Sequence, residues 1–250
     1  MHLSLMDIFF QGRKLFFISD THFFHKNIIE YSNRPFVSIT EMNQEMIEMW
    51  NAVVGHDDIV IHGGDLAFGG YDGFSKALDA LNGTIILLRG NHEPERISFA
   101  LRGDCFDFYT EKQKMDKSDT YKYKSGKHYI FADYASTTEY TFAVPPWNMC
   151  KAIVLDTLYL KGLGIGGQAV TITHTPQLTW YDMNKKVKSC HIHGHCHGNL
   201  PSAVLNPNRF DLSCDNIYRM WPKMGKRAYA PIERGDLVKT FRKYQESFGA

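Results

Sequence analysis

The sequence has no long hydrophobic run, no dominant charge and few cysteines, and each absence excludes something. No apolar stretch approaches the roughly 20 residues of a membrane-spanning helix, so no membrane partner is expected. Lys and Arg total 28 against 27 Asp and Glu. That balance gives no global basic field and weighs against a long nucleic-acid track. The five cysteines, Cys105, Cys150, Cys190, Cys196 and Cys214, are odd in number and unevenly spaced. Such usage suits free thiols in a reducing compartment, and a cytoplasmic location is expected. Met1 to Phe10 are apolar but lack a basic leader and a small-residue cleavage site. They read as one arm of a hairpin turning at Gln11-Gly12, not as a signal peptide. Internal repeats and low-complexity tracts are also missing.

What the chain does have is histidine, 12 in 250 residues, mostly in short clusters. The length fits one α/β domain over 1–250 that can bury a large core without disulfides. Five apolar runs have the length and Val, Ile and Phe content of buried strands, and each runs into polar residues. Leu15 to Ser19 leads into Asp20-Thr21-His22, Ile59 to Ile61 into His62-Gly63-Gly64-Asp65, and Thr84 to Leu88 into Arg89-Gly90-Asn91-His92. Ala169 to Thr173 leads into His174, and Ser189 to Ile192 into His193-Gly194-His195-Cys196-His197.

Helices are predicted between the first three runs. Ser38-Ile39-Thr40-Glu41 has capping-box spacing, followed by Met42, Met46, Met49, Trp50 and Val53 on one face. Phe74, Ala77, Leu78 and Leu81 mark a shorter helix. Alternating strand and helix implies right-handed crossovers and near-parallel strands, whose carboxyl ends are where ligands gather. Residues 105–163 break the rhythm. They are aromatic, charged and irregular, too long for an ordinary connection, and read as an inserted cap or rim over the site. Leu237 to Phe248 reads as a closing amphipathic helix.

The strand-end clusters can be pooled as metal ligands. Asp20 and His22, and again His195 and His197, stand at i, i+2; in extended chain both side chains would point the same way. With Asp65, Asn91 and His174 they make seven donors of mixed oxygen and nitrogen type. That set suits Mn²⁺, Fe, Zn²⁺, Ni²⁺ or Co²⁺ and is poor for Ca²⁺. Seven donors exceed what one ion with an open position requires. A carboxylate bridging two ions ~3.5–4 Å apart would use them, and phosphoester chemistry uses that arrangement. Any one Asp-x-His or Gly-Asp alone is a weak signal. A structural zinc knuckle at Cys190 to His197 lacks the second pair of cysteines it would need. Five clusters in order, each closing a predicted strand, are what point to a metal centre.

The series Asp-x-His, Gly-Asp, Gly-Asn-His-Glu, His and Gly-His-x-His, from Asp20 to His197, resembles the signature of the calcineurin-like metallophosphoesterase superfamily. The resemblance implies a β-sandwich flanked by α-helices in four layers, with a dinuclear site at the strand ends. It implies that Asp20, His22 and His197 hold a first ion and Asn91, His174 and His195 a second. Asp65 would bridge them and His92 would be catalytic. The activity implied is hydrolysis of a phosphate ester by metal-activated hydroxide, with two divalent ions, Mn²⁺ foremost, as cofactor. Gly64-Asp65-Leu66-Ala67-Phe68-Gly69-Gly70 departs from the protein-phosphatase motif, lacking its second Asp and its Arg. A protein substrate is therefore disfavoured.

The stretch Ile18 to Ile29, with Asn33-Arg34-Pro35-Phe36, is similar to a branch of small bacterial and bacteriophage metallophosphoesterases. There His25 and Arg34, just past the first ligands, are candidate phosphate contacts. A small nucleotide-like phosphodiester is the expected substrate. An Mre11-like nuclease acting on DNA or RNA is the main alternative, and a non-catalytic binding module the lesser one.

Overall fold

Leu15–Ile18 (β1), Ile59–His62 (β2) and Thr84–Leu88 (β3) are short runs rich in β-branched and aromatic residues in which every residue is buried. Strands covered on both faces pair in parallel, and these do, in the order β1-β2-β3. The computed structural model describes residues 13–93, 106–107, 120–123, 128–131, 150–155, 157–160, 168–181, 183–184 and 189–249. The first arm and the turn of the expected hairpin, residues 1–12, lie outside that set; its second arm is β1.

Helix α1 (Ile28–Tyr31) and helix α2 (Ile39–Val53) follow β1. The α2 N-terminus is capped by Ser38, whose hydroxyl accepts the Glu41 N–H at 3.2 Å. The Glu41 carboxylate reaches back to the Val37 N–H, one residue earlier than a capping box would have it. Met42, Met46 and Trp50 are fully buried, and Trp50 Nε1 donates to the Asn82 carbonyl at 3.0 Å. Each buried methionine contributes roughly 1.5–3 kcal/mol. Val53, expected on the same face, is exposed, and Val54 takes the buried position instead. Helix α3 (Gly70–Ala80) lies between β2 and β3 and buries Phe74, Ala77 and Leu78, as its periodicity predicts.

The segment expected as a cap contributes strands to both sheets. Phe106–Asp107 (β4), Thr120–Tyr123 (β5), His128–Phe131 (β6) and Cys150–Leu155 (β7), with Ile232–Glu233 (β12) at the other edge, extend the first sheet to the order β12-β1-β2-β3-β7-β6-β5-β4. Thr157–Leu160 (β8) joins the second sheet. Residues 150–155 and 157–160 thus pair within the two sheets. The rest of 105–163, and the aromatic and lysine side chains expected to rim the site, lie outside the described residues.

The second sheet has the order β11-β10-β9-β8, with Val170–Thr173 (β9), Cys190–His193 (β10) and Arg209–Asp211 (β11) parallel to one another. One hydrophobic core joins the two sheets, running from Ile18, Ile61 and Leu87 to Ile172, Ile192 and Phe210. Helix α4 (Cys214–Met220) follows β11, and Ile232–Glu233 (β12) pairs antiparallel with β1. Helix α5 (Arg234–Glu246) closes the chain, its Phe241 packing edge-on against Phe210. Two sheets with flanking helices are the arrangement the resemblance implies. No helix among the described residues is long and apolar enough to cross a membrane.

Candidate metal centre

Each predicted ligand lies just beyond the carboxyl end of its strand, and five of the seven are not in extended chain. Asp20, His22, Asp65, His195 and His197 have φ of 57°, 51°, 55°, 69° and 49°, in the left-handed region that non-glycine residues avoid. The i, i+2 convergence expected from strand alternation is therefore corrected: tight turns, not a pleat, bring Asp20 to His22 and His195 to His197. Such conformations cost roughly 1–3 kcal/mol each and persist only where the surroundings fix them. Backbone bonds do so here. Asp20 N donates to Gly64 O at 3.0 Å, His22 N to Asp65 O at 3.0 Å, and Gly194 N to His174 O at 2.9 Å.

Two groups of ligand atoms result, each within 4.8 Å of one another: Asp20, His22 and His197 in one, Asp65, His174 and His195 in the other. Asn91 Oδ1 joins the second, 3.0 Å from His174 Nε2 and 2.8 Å from His195 Nδ1. Between the groups stands Asp65 Oδ2, 3.6 Å from His22 Nε2 and 3.5 Å from His174 Nε2. All seven sequence-predicted ligands are brought together.

The proton inventory fits a cation. His174 Nδ1 lies 2.9 Å from the Gly63 carbonyl, which can only accept, so the ring proton sits there and Nε2 turns a lone pair toward Asn91 and Asp65. Burial holds His174 below its ordinary pKa, which keeps that nitrogen unprotonated. His197 Nδ1 is 2.6 Å from Asp215 Oδ2, leaving its Nε2 to face Asp20 Oδ1 at 3.6 Å and His22 Nε2 at 3.2 Å. Burial is also the main cause that pushes the Asp20 carboxyl well above its usual range, with Asp65 adding to it and His197 opposing it. The charges of Asp20 and Asp65, both buried, repel each other across the site. A metal ion removes that repulsion, and the mixed oxygen and nitrogen donors suit a first-row divalent metal.

A cavity of about 430 Å³ opens over these atoms, with His92 on its wall. His25, predicted to meet substrate, lines it too and stacks on Phe68 with 3.8 Å between ring centroids. Arg34 does not. Its guanidinium is buried, bonded through Nε and Nη2 to Asp215 and through Nη1 and Nη2 to the carbonyls of Thr21 and Asp20. The expectation that Arg34 contacts phosphate is corrected: every edge of the fork already has an acceptor inside the fold.

Sequence reasoning missed Asp215 and the part played by Glu93. Burial tends to raise the Asp215 carboxyl, yet Arg34 and His197 hold it down at about 2. Glu93 Oε1 accepts from Leu66 N at 2.8 Å and Oε2 from Gly90 N at 2.6 Å, buckling the turn of Asp65 to that of Asn91. Burial, then the charge on Asp65, raises Glu93 to about 7. Its place three residues after Gly90 was the only available signal.

Comparison with known proteins agrees with this geometry. The protein of unknown function AQ665 from Aquifex aeolicus superposes with a TM-score of 0.51 at 18% identity, over 92% of this chain and 100% of that one, a likeness of fold alone. Uncharacterized protein MJ1445 of Methanocaldococcus jannaschii is 50% identical over 84 residues, 32% of this chain and 47% of its own length. The chain thus spans about half the length of that curated relative. The profile of the calcineurin-like phosphoesterases matches residues 13–203, and the chain belongs to that family of metal-dependent phosphoesterases.

Proposed function

We propose that the protein hydrolyses a small, nucleotide-like phosphodiester with two divalent ions, Mn²⁺ first among the metals that suit the donors. The observation that carries the two-ion reading is Asp65 Oδ2, a single oxygen within 3.6 Å of a ligand nitrogen from each group. Asp20, His22 and His197 would hold one ion, Asn91, His174 and His195 the other, and Asp65 both. When bound, such ions supply Lewis acidity toward phosphate oxygens and make a water acidic near neutral pH. His92, with 41% of its side chain exposed to the cavity side of Asp65, donates to the leaving oxygen. His25, its ring centroid 6.3 Å from that of His92, meets a phosphate oxygen from across the cavity. The cavity volume suits a nucleotide-sized group, and Tyr31 and Phe68 offer aromatic faces to a base.

The test is a screen of Mn²⁺-loaded protein against bis-p-nitrophenyl phosphate, p-nitrophenyl phosphate, mononucleotides, cyclic nucleotides, dinucleotides and single-stranded DNA. Diester hydrolysis should depend on metal, with metal content approaching two ions per chain and falling in Asp65→Asn. Saturation at one ion, unchanged by Asp65→Asn, sinks the two-ion reading. Preference for single-stranded DNA over every small substrate replaces the nucleotide reading with a nuclease.

A further inference from the structure

One buried ion pair is tied to the first group of ligands and not to the second. Arg34 grips both oxygens of Asp215, Nε to Oδ1 at 2.9 Å and Nη2 to Oδ2 at 2.8 Å. The same guanidinium donates from Nη1 to the Thr21 carbonyl and from Nη2 to the Asp20 carbonyl, both at 2.7 Å. Those carbonyls belong to the turn that carries Asp20 and His22, both in the left-handed region. On its other side Asp215 accepts the Nδ1 proton of His197 at 2.6 Å, and its Oδ1 also accepts from the Tyr229 hydroxyl at 3.1 Å. Cys214 Sγ adds a contact to the Asp20 carbonyl at 3.2 Å.

From this we infer that Arg34 and Asp215 are positioning residues for the first metal site, fixing all three of its ligands, and leave the second site alone. The guanidinium holds the strained turn of Asp20 and His22 by its carbonyls. The carboxylate fixes the His197 ring and its tautomer, so that Nε2 presents a lone pair. A carboxylate behind a ligand histidine commonly sets metal affinity. The second site is built otherwise. His174 backs onto the Gly63 backbone carbonyl, and its partners Asn91 and His195 have no contact with Arg34 or Asp215 among the bonds of either residue. The pair is 181 residues apart in sequence and links the connection between α1 and α2 to the first turn of α4.

The inference rests on the two-ion reading above, and the experiment separates the two. Metal-free protein is titrated with Mn²⁺ while free Mn²⁺ is followed by its electron paramagnetic resonance signal. Asp215→Asn is compared in a His174→Ala background, which keeps the first site, and in a His22→Ala background, which keeps the second. Affinity should fall about 10–100-fold in the first background and stay within about twofold in the second. Equal losses in both, or none in the first, overturn the proposal. A parent protein that binds one ion sinks the two-ion reading instead. If Asp215→Asn does not fold, Arg34→Met/Asp215→Asn, which strands no buried charge, is assayed in its place. Nitrogen-15 NMR of the unaltered metal-free protein reads the tautomer directly. The His197 proton is expected on Nδ1, and finding it on Nε2 overturns the proposal by itself.

Discussion

The backbone N–H of His92 donates to Asp65 Oδ1 at 2.9 Å, while the His92 ring nitrogen Nε2 stands 3.9 Å from Asp65 Oδ2. Main chain steadies the Asp65 carboxylate, while the His92 ring stands beyond hydrogen-bond distance of it. Replacing His92 by Ala keeps the first contact and removes the second. Turnover should fall by about 10²–10⁴, as for a lost general acid, while Mn²⁺ content stays at the parent value. The loss should be smallest with p-nitrophenolate, a leaving group that needs little protonation. A collapse of metal content would make the ring a ligand.

His62 makes the fold sensitive to acid. Its ring is buried, with Nδ1 accepting the Gly64 N–H at 3.2 Å and Nε2 at 3.0 Å from the Thr21 hydroxyl, which itself donates to Leu66 O. Burial, then the charge on His174, lowers it to about 3. A depressed pKa means that the unfolded chain takes up a proton first. His62 therefore stabilises the fold above the unfolded value near 6.5, and that contribution is lost as pH falls from there toward 3. Glu93, raised to about 7, works in the opposite sense, its stability present below about 4.5 and lost as pH rises to 7. The His62 shift is the larger, and His191, also lowered to about 3 chiefly by burial, adds to it. Net destabilisation below about pH 6 is expected. In urea titrations at pH 7.5 and 5, His62→Gln should be less stable than parent at 7.5 but lose less on acidification. An equal loss would place the acid sensitivity elsewhere.

The parts of the fold that reached the sequence surface are those made by short-range pattern. The β1, β2, β3, β9 and β10 runs are apolar and end in polar clusters, so each strand announces its candidate ligand. Met42, Met46 and Trp50 announce their helix by spacing. The left-handed turns at Asp20, His22, His195 and His197 leave no such trace, because residues that avoid φ near 50° were placed there by tertiary bonds. Arg34 followed by Pro35 looks like a surface charge near a site. Asp215, far along the chain, and the carbonyls of Asp20 and Thr21 turn it inward. β7 was hidden because Lys151 interrupts its start and irregular sequence precedes it. β11, reading Arg-Phe-Asp, has too few apolar residues to declare itself.

Gly194 is where the two sheets meet at the candidate metal centre, and it has no room for a side chain. A Cβ there would collide with Ser19 Oγ and Asp20 Oδ2. Neither can retreat easily. Ser19 Oγ donates to Asp20 Oδ2 at 2.5 Å, and Asp20 Oδ1 accepts the His195 N–H at 2.8 Å. The methyl group of Gly194→Ala must therefore displace the Asp20 carboxylate or the turn that carries His195 and His197. Overpacking of this kind costs about 1–3 kcal/mol of stability. Metal binding should suffer more than folding, since the atoms displaced belong to the candidate ligands themselves. Ser19→Ala in the same chain removes one of the two collisions and should restore part of the stability. It should restore less of the metal affinity, because Asp20 Oδ2 still meets the methyl group. Urea denaturation of metal-free protein and Mn²⁺ titration read the two effects separately. A Gly194→Ala protein that folds and binds both ions at parent affinity would show that the β10 turn gives way freely, and that its close approach to Asp20 is not what shapes the site.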